Sequence, residues 1–351
     1  MKKILGIFRG FPGLGRIVAG VAVLEMLHDK YNYETKAISY LQGAEYLELH
    51  NYIETLTPSA LDYCAIGILP TSKFGASIHC IIKEFLPDVI LIDGEPLMLQ
   101  SCKISYPNTK IVALLNPADV DNPKNDKEAM DFFNSLYTQC DLAIVHGTRS
   151  VKTTYAYRKL FSLPTILRKE ILDIRNCPSQ QRIYCLLGGG SVNVDEAFSN
   201  STLRMAYKCI ALALNIPNCT IDILCSSNNI FESVKNIGIP KNVILHKNII
   251  CPQAYYSKAS LVITRSGRNT LSELAYLGIP TVAFVTEDSF RNTEQMQNIL
   301  SIRAANIHYS TYNSEIEDFT KLCTIAMNDG TKKNEFDTSG LYIATKLISE
   351  L

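Results

Sequence analysis

Residues 260–280 run from an apolar stretch, SLVITR, into Ser266-Gly267 and then into a helical pattern that carries Glu273 in its second turn. A small, polar, cationic turn between a buried strand and a helix leaves the first backbone N–H groups of that helix unpaired, and the helix dipole adds partial positive charge there. Arg265, Ser266 and Gly267 therefore read as a phosphate site. Glu273 stands where a carboxylate can accept two hydroxyl hydrogen bonds from a ribose; the bland alternative is a helix-start acid without a ligand. A second candidate is RIYCLLGGGSVN (182–193), where Gly189, Gly190 and Ser191 follow a buried strand and form a nest of N–H groups suited to phosphate oxygens. A third is GFPGLGR (10–16), in which Gly13 and Gly15 permit close approach of a ligand to the backbone. Its spacing is G-x-x-G-x-G rather than the dinucleotide fingerprint, so ligand contact and a plain strand-to-helix turn both stay open.

Parallel strands must deliver these turns. Short apolar runs alternate with stretches of helical period, the mark of repeated βα units. The clearest strands are residues 3–8, 88–93, 110–115, 141–146, 182–188, 220–225, 242–246, 260–265 and 280–285. They fall into two groups, and the segment 163–182, with Pro164 and Pro178, separates them. We expect one domain over 1–165, a second over 166–332 and a final helix over 333–351 that could pack on either half, the first domain included. The fold class is α/β: two Rossmann-like parallel-sheet domains facing across a cleft.

Composition narrows the functions. Lys plus Arg equal Asp plus Glu at 34 each, so no global charge points to nucleic acid or an anionic membrane. The 11 cysteines form no C-x-x-C pair and the 6 histidines no ligand spacing, which implies a reduced, cytoplasmic protein without a metal site. Arg9 and Arg16 interrupt the apolar start before it could act as a signal peptide. The stripe Phe74, Ile78, Ile81, Ile82 and Phe85, flanked by Lys73 and Lys83, reads as the core face of a helix in preference to a peripheral membrane face.

With Arg265-Ser266-Gly267, Thr270, Ser272-Glu273 and Gly278-Ile279-Pro280 in register, the chain resembles GT-B glycosyltransferases, most closely glycosyltransferase family 28. The resemblance extends to LPDVILIDG (86–94), the GGGS loop and the stretch 244–267. It implies that Glu273 binds the nucleotide ribose, that Thr270 beside Asn269 contacts the diphosphate, and that Gln295 of the Q-x-x-N pair, with Asn298, faces the donor sugar. The family's inter-domain arginine is matched by Arg168. The chain departs from the family where the first loop's G-G-H becomes Leu14-Gly15-Arg16, because a guanidinium cannot accept a proton at neutral pH.

The resemblance implies transfer of a sugar from a UDP- or dTDP-sugar to an acceptor hydroxyl, inverting and metal-independent, with the donor as substrate and no cofactor. The acceptor, a small molecule, a glycan or a lipid-linked sugar, stays open. Asp93, Glu95 and Asp119 are the candidate bases, and Arg16 is expected to stabilise charge on the leaving diphosphate. The rivals are a nucleotide-sugar hydrolase, a sugar-nucleotide epimerase and a non-catalytic nucleotide-sugar-binding subunit.

Overall fold

Apolar runs of four to six residues, too short for helices and covered on both faces, become the inner strands of two parallel sheets. The structure, a computed structural model, describes residues 1–10, 13–52, 73–122, 124–178, 181–188, 196–286 and 290–351. Two compact units emerge: Met1–Arg168 with Asp337–Leu351, and Lys169–Phe336.

The first unit contains β1 (Lys3–Phe8), α1 (Ile17–Tyr31), β2 (Glu34–Ile38), α2 (Gln42–Leu49), α3 (Lys73–Phe85), β3 (Val89–Asp93), α4 (Pro96–Ser105), β4 (Lys110–Leu115), α5 (Pro117–Val120), α6 (Lys127–Tyr137), β5 (Leu142–His146) and β6 (Leu160–Leu163). Its sheet has the order β2-β1-β3-β4-β5-β6. The direction of strand succession reverses between β1 and β3, so loops leaving their carboxyl ends diverge and open a crevice. Ile78, Ile82 and Phe85 of α3 are buried in this unit's core and Ile81 packs against it, so these four positions of the apolar stripe form a core face, while the Phe74 side chain lies outside the described residues.

The second unit contains α7 (Lys169–Leu172), β7 (Arg182–Leu186), α8 (Glu196–Asn215), β8 (Thr220–Leu224), α9 (Asn228–Lys235), β9 (Val243–His246), a 3-10 helix (Pro252–Lys258), β10 (Leu261–Arg265), α10 (Arg268–Leu277), β11 (Thr281–Val285), α11 (Phe290–Ile302), β12 (Ile307–Thr311) and α12 (Ile316–Asp329). The order β12-β11-β10-β7-β8-β9 is the Rossmann arrangement, with its switch point between β7 and β10. Leu261 and Ile263 of β10 enter one core and Val262 the other.

The expected terminal helix is shorter than 333–351. Lys332 N–H donates to the Gly278 carbonyl at 2.9 Å and Asn334 Nδ2 to the Ala275 carbonyl at 2.8 Å, which ties this segment to the second unit in non-helical form. Helix α13 (Gly340–Ser349) then packs on α1: Thr345 Oγ1 donates to Met26 Sδ at 3.3 Å, and Lys30 Nζ lies 4.1 Å from the Tyr342 ring centroid. Among the described residues no helix is long and apolar enough to cross a membrane.

Candidate functional site

The loops at the two switch points carry the candidate chemistry, and they are built differently. In the second unit, β10 ends at Arg265 and α10 begins at Arg268, with Gly267 at the N-cap. Ser266 Oγ donates to the Phe284 carbonyl at 2.8 Å, and Asn298 Nδ2 donates to the Ser266 carbonyl at 3.2 Å, so neighbouring elements hold the turn from both sides. Gly267 has φ −76° and ψ 134°, which any residue adopts, and a Cβ added there would meet nothing within 4 Å. Neither backbone strain nor internal packing calls for glycine at this position. What its missing side chain preserves is open space beside the first amides of a ten-residue helix.

Glu273 is 2 % exposed and Tyr256 Oη donates to its Oε2 at 3.4 Å. Asn269 and Thr270 are half-buried in the first turn of α10. Arg265 bonds to its own unit: Nε donates to the Leu187 carbonyl at 2.9 Å, Nη1 to Ser201 Oγ at 3.1 Å, and Nη2 to Thr202 Oγ1. Gly188 has φ +80°, and a Cβ there would come within 3.2 Å of Arg265 Cδ. The arginine thus braces the exit of β7 against α8. Gln295 Oε1 accepts from Thr286 N–H at 2.8 Å and from Thr286 Oγ1 at 3.2 Å, so the atom expected to face sugar hydroxyls holds the exit of β11. Gly189, Gly190 and Ser191 lie outside the described residues.

In the first unit, charges meet each other. Arg16, at the N-cap of α1, donates from Nη1 to Asp93 Oδ1 at 3.0 Å and to Asp119 Oδ2 at 2.5 Å, and from Nη2 to Asp119 Oδ1 at 2.7 Å. Asp119 also accepts the Asn116 N–H at 2.8 Å. Burial works against the Arg16 charge, yet Asp119 and then Asp93 outweigh it and hold the guanidinium pKa well above its ordinary value. The guanidinium expected to face a diphosphate is therefore the centre of an ion triad with two carboxylates.

Beside the triad, Glu95 Oε1 accepts from Tyr40 Oη at 2.5 Å and lies 3.6 Å from Arg9 Nε. Burial pushes the Glu95 carboxyl above its ordinary range, opposed by Arg9 and by the tyrosine hydrogen bond. Burial, followed by Glu95, pushes the Tyr40 phenol well up. Gly94 is what lets the two pairs lie together. Its φ is +83°, and a Cβ there would fall 2.8 Å from Arg9 Cβ and 3.3 Å from Arg16 Cγ. Gly15 is exposed and a Cβ would meet nothing within 4 Å, while Gly13 is half-buried at the start of the same turn. Arg168 is buried at the end of the first unit's main segment.

Sequence reasoning missed Arg9, Tyr40 and Tyr137, whose buried phenol is also pushed up, mainly by burial and then by Asp119. Arg9 directly follows β1 at the switch point, which is the signal that could have found it. Tyr40 follows β2, a strand not legible from the sequence.

Two parallel-sheet units, each with a crevice at its switch point, make up the GT-B fold. Residues 220–334 match the model described as Glycosyltransferase family 28 C-terminal domain. A curated relative, the UDP-N-acetylglucosamine--N-acetylmuramyl-(pentapeptide) pyrophosphoryl-undecaprenol N-acetylglucosamine transferase of Thermotoga neapolitana, is 22 % identical over 271 residues, 77 % of this chain and 72 % of that protein. Among solved structures, Acinetobacter baumannii MurG superposes with a TM-score of 0.57 at 13 % identity over all of both chains. The UDP-GlcNAc 2-epimerase of Neisseria meningitidis superposes with a TM-score of 0.63 at 13 % identity, covering 99 % of this chain and 100 % of its own. The protein is a GT-B glycosyltransferase similar to family 28.

Proposed function

We propose that the protein transfers a sugar from a uridine or thymidine diphosphate sugar to an acceptor hydroxyl, with inversion at the anomeric carbon and without a metal. The observation that carries this reading is Gly267, a glycine required by neither its backbone nor its neighbours, beside the open amino end of α10. Amides there supply the positive charge that a leaving diphosphate needs, which is why the reading calls for no metal. Glu273, one turn further along and held by Tyr256, takes the ribose hydroxyls. The donor is a substrate and no cofactor takes part. The first unit binds the acceptor, and one of its clustered carboxylates takes the hydroxyl proton.

The Thermotoga relative is named for an N-acetylmuramyl-(pentapeptide) pyrophosphoryl-undecaprenol, which puts lipid-linked sugars beside small molecules and glycans among the acceptors to try. The test incubates the protein with UDP-N-acetylglucosamine and with dTDP-sugars, with and without such acceptors, and follows nucleoside diphosphate release and anomeric configuration by NMR. We expect acceptor-dependent release and an inverted product. Release without any acceptor identifies a hydrolase, a changed sugar still attached to its nucleotide identifies an epimerase, and binding without turnover identifies a non-catalytic subunit.

A further inference from the structure

The first unit holds three candidate proton acceptors, and their surroundings differ enough to choose among them. Asp119 has both oxygens taken by charge-assisted or backbone donors: Arg16 at 2.5 and 2.7 Å and the Asn116 N–H at 2.8 Å. Such donors stabilise the anion and make it a poor base. Asp93 is completely buried behind the same guanidinium, with its charge already matched there. Glu95 differs on both counts. Tyr40 and Arg9 both address its Oε1, at 2.5 and 3.6 Å. Its side chain keeps 6 % exposure where that of Asp93 has none.

Resting on the transfer reading above, we propose that Glu95, oriented by Tyr40, takes the proton of the acceptor hydroxyl, and that Arg16, Asp93 and Asp119 are positioning residues that fix the loop around it. The acceptor oxygen forms a bond to the anomeric carbon as its proton passes to Glu95 Oε2. The bond from that carbon to the diphosphate oxygen breaks, and its electron pair leaves with the nucleoside diphosphate. Glu95 then returns the proton to solvent. Burial raises the proton affinity of Glu95 toward that of an effective base, and the Tyr40 hydroxyl keeps enough of the anion present to act.

The experiment joins turnover to a direct titration. In Glu95→Gln, UDP release from UDP-N-acetylglucosamine should fall by about 10²–10⁴-fold while UDP binding is unchanged, with Glu95→Asp recovering part of the rate. In Tyr40→Phe the acid limb of kcat/KM should move to higher pH, because the lost hydroxyl stabilised the carboxylate; a purely structural tyrosine would lower activity without moving that limb. Carboxyl carbon NMR of glutamate-labelled protein should show one resonance, missing from Glu95→Gln, that titrates above the ordinary value of about 4.3. Full turnover in Glu95→Gln, or titration of that resonance at or below the ordinary value, overturns the assignment. Wild-type protein that binds UDP-N-acetylglucosamine yet releases no UDP counts against the transfer reading itself, and the titration then still decides whether Glu95 has a base's proton affinity.

Discussion

The carboxyl edges of the two sheets handle charge in opposite ways. In the first unit two arginines and three carboxylates pair with each other, Arg16 with Asp93 and Asp119, Arg9 with Glu95. In the second, Arg265 goes to a backbone carbonyl and two hydroxyls, Ser266 and Asn298 hold the turn, and Gly267 leaves space at the helix start. An edge whose charges are internally matched suits proton transfer, where the protein must set the affinity of one carboxyl. An edge that offers amides and space suits a ligand bringing its own negative charge.

The contrast makes its largest prediction at Arg16. Arg16→Met leaves Asp93 buried without its guanidinium, and the expected cost is about 3–5 kcal/mol of folding stability, read by urea denaturation. A second substitution, Asp93→Asn, should recover a substantial part. A loss under about 1 kcal/mol would mean that the triad is solvated and the first edge is no tighter than an ordinary surface pair.

At the second edge the effect should fall on binding instead. A Cβ at 267 meets nothing within 4 Å and the backbone there is ordinary, so Gly267→Val should lose no more than about 1 kcal/mol of stability, the cost of a poorer N-cap. Affinity for UDP should drop about 100-fold, equivalent to about 2.7 kcal/mol, as the side chain fills the phosphate space. Thermal melts and calorimetric titration separate the two quantities. A variant that melts normally and binds normally would remove this turn from the donor site.

The smallest effect is a pH dependence of stability at Glu95. A carboxyl whose folded pKa lies above its unfolded value contributes stability that is complete below the unfolded value, about 4.3, and is lost as pH rises through the folded one. Burial raises the Glu95 value, so Glu95→Gln should gain melting temperature on wild type progressively from pH 4 toward pH 7. A gain that shrinks with pH would mean that Arg9 and Tyr40 dominate burial and that the carboxyl is depressed.

The same contrast explains what could be read from the sequence. The second edge is contiguous in the chain: Arg265 through Glu273 form one strand-to-helix passage whose residue types announce a phosphate site, even though Arg265 and Gln295 turn out to brace loops. The first edge is assembled from residues 9, 16, 40, 93, 95 and 119, and the Arg16–Asp119 pair spans 103 positions. No local pattern marks such a cluster, and although the candidates Asp93, Glu95 and Asp119 were legible as strand-end and loop acids, their partners were not. Strands behaved likewise. Nine apolar runs were visible because nearly all are covered on both faces. β2, β6 and β12 were not, since each is a sheet edge with exposed or half-buried polar positions, such as Glu34 to Lys36, Ser162 and His308.

The central claim is that the amino end of α10, with Glu273, holds a nucleoside diphosphate. Calorimetric titration of the full chain with UDP, repeated on Glu273→Ala, tests it most directly. One site per chain is predicted, weakened roughly tenfold or more by loss of the ribose hydrogen bonds, about 1.5–3 kcal/mol. No binding of UDP or dTDP to the wild-type protein, or equal affinity in a Glu273→Ala variant that melts normally, would contradict the claim.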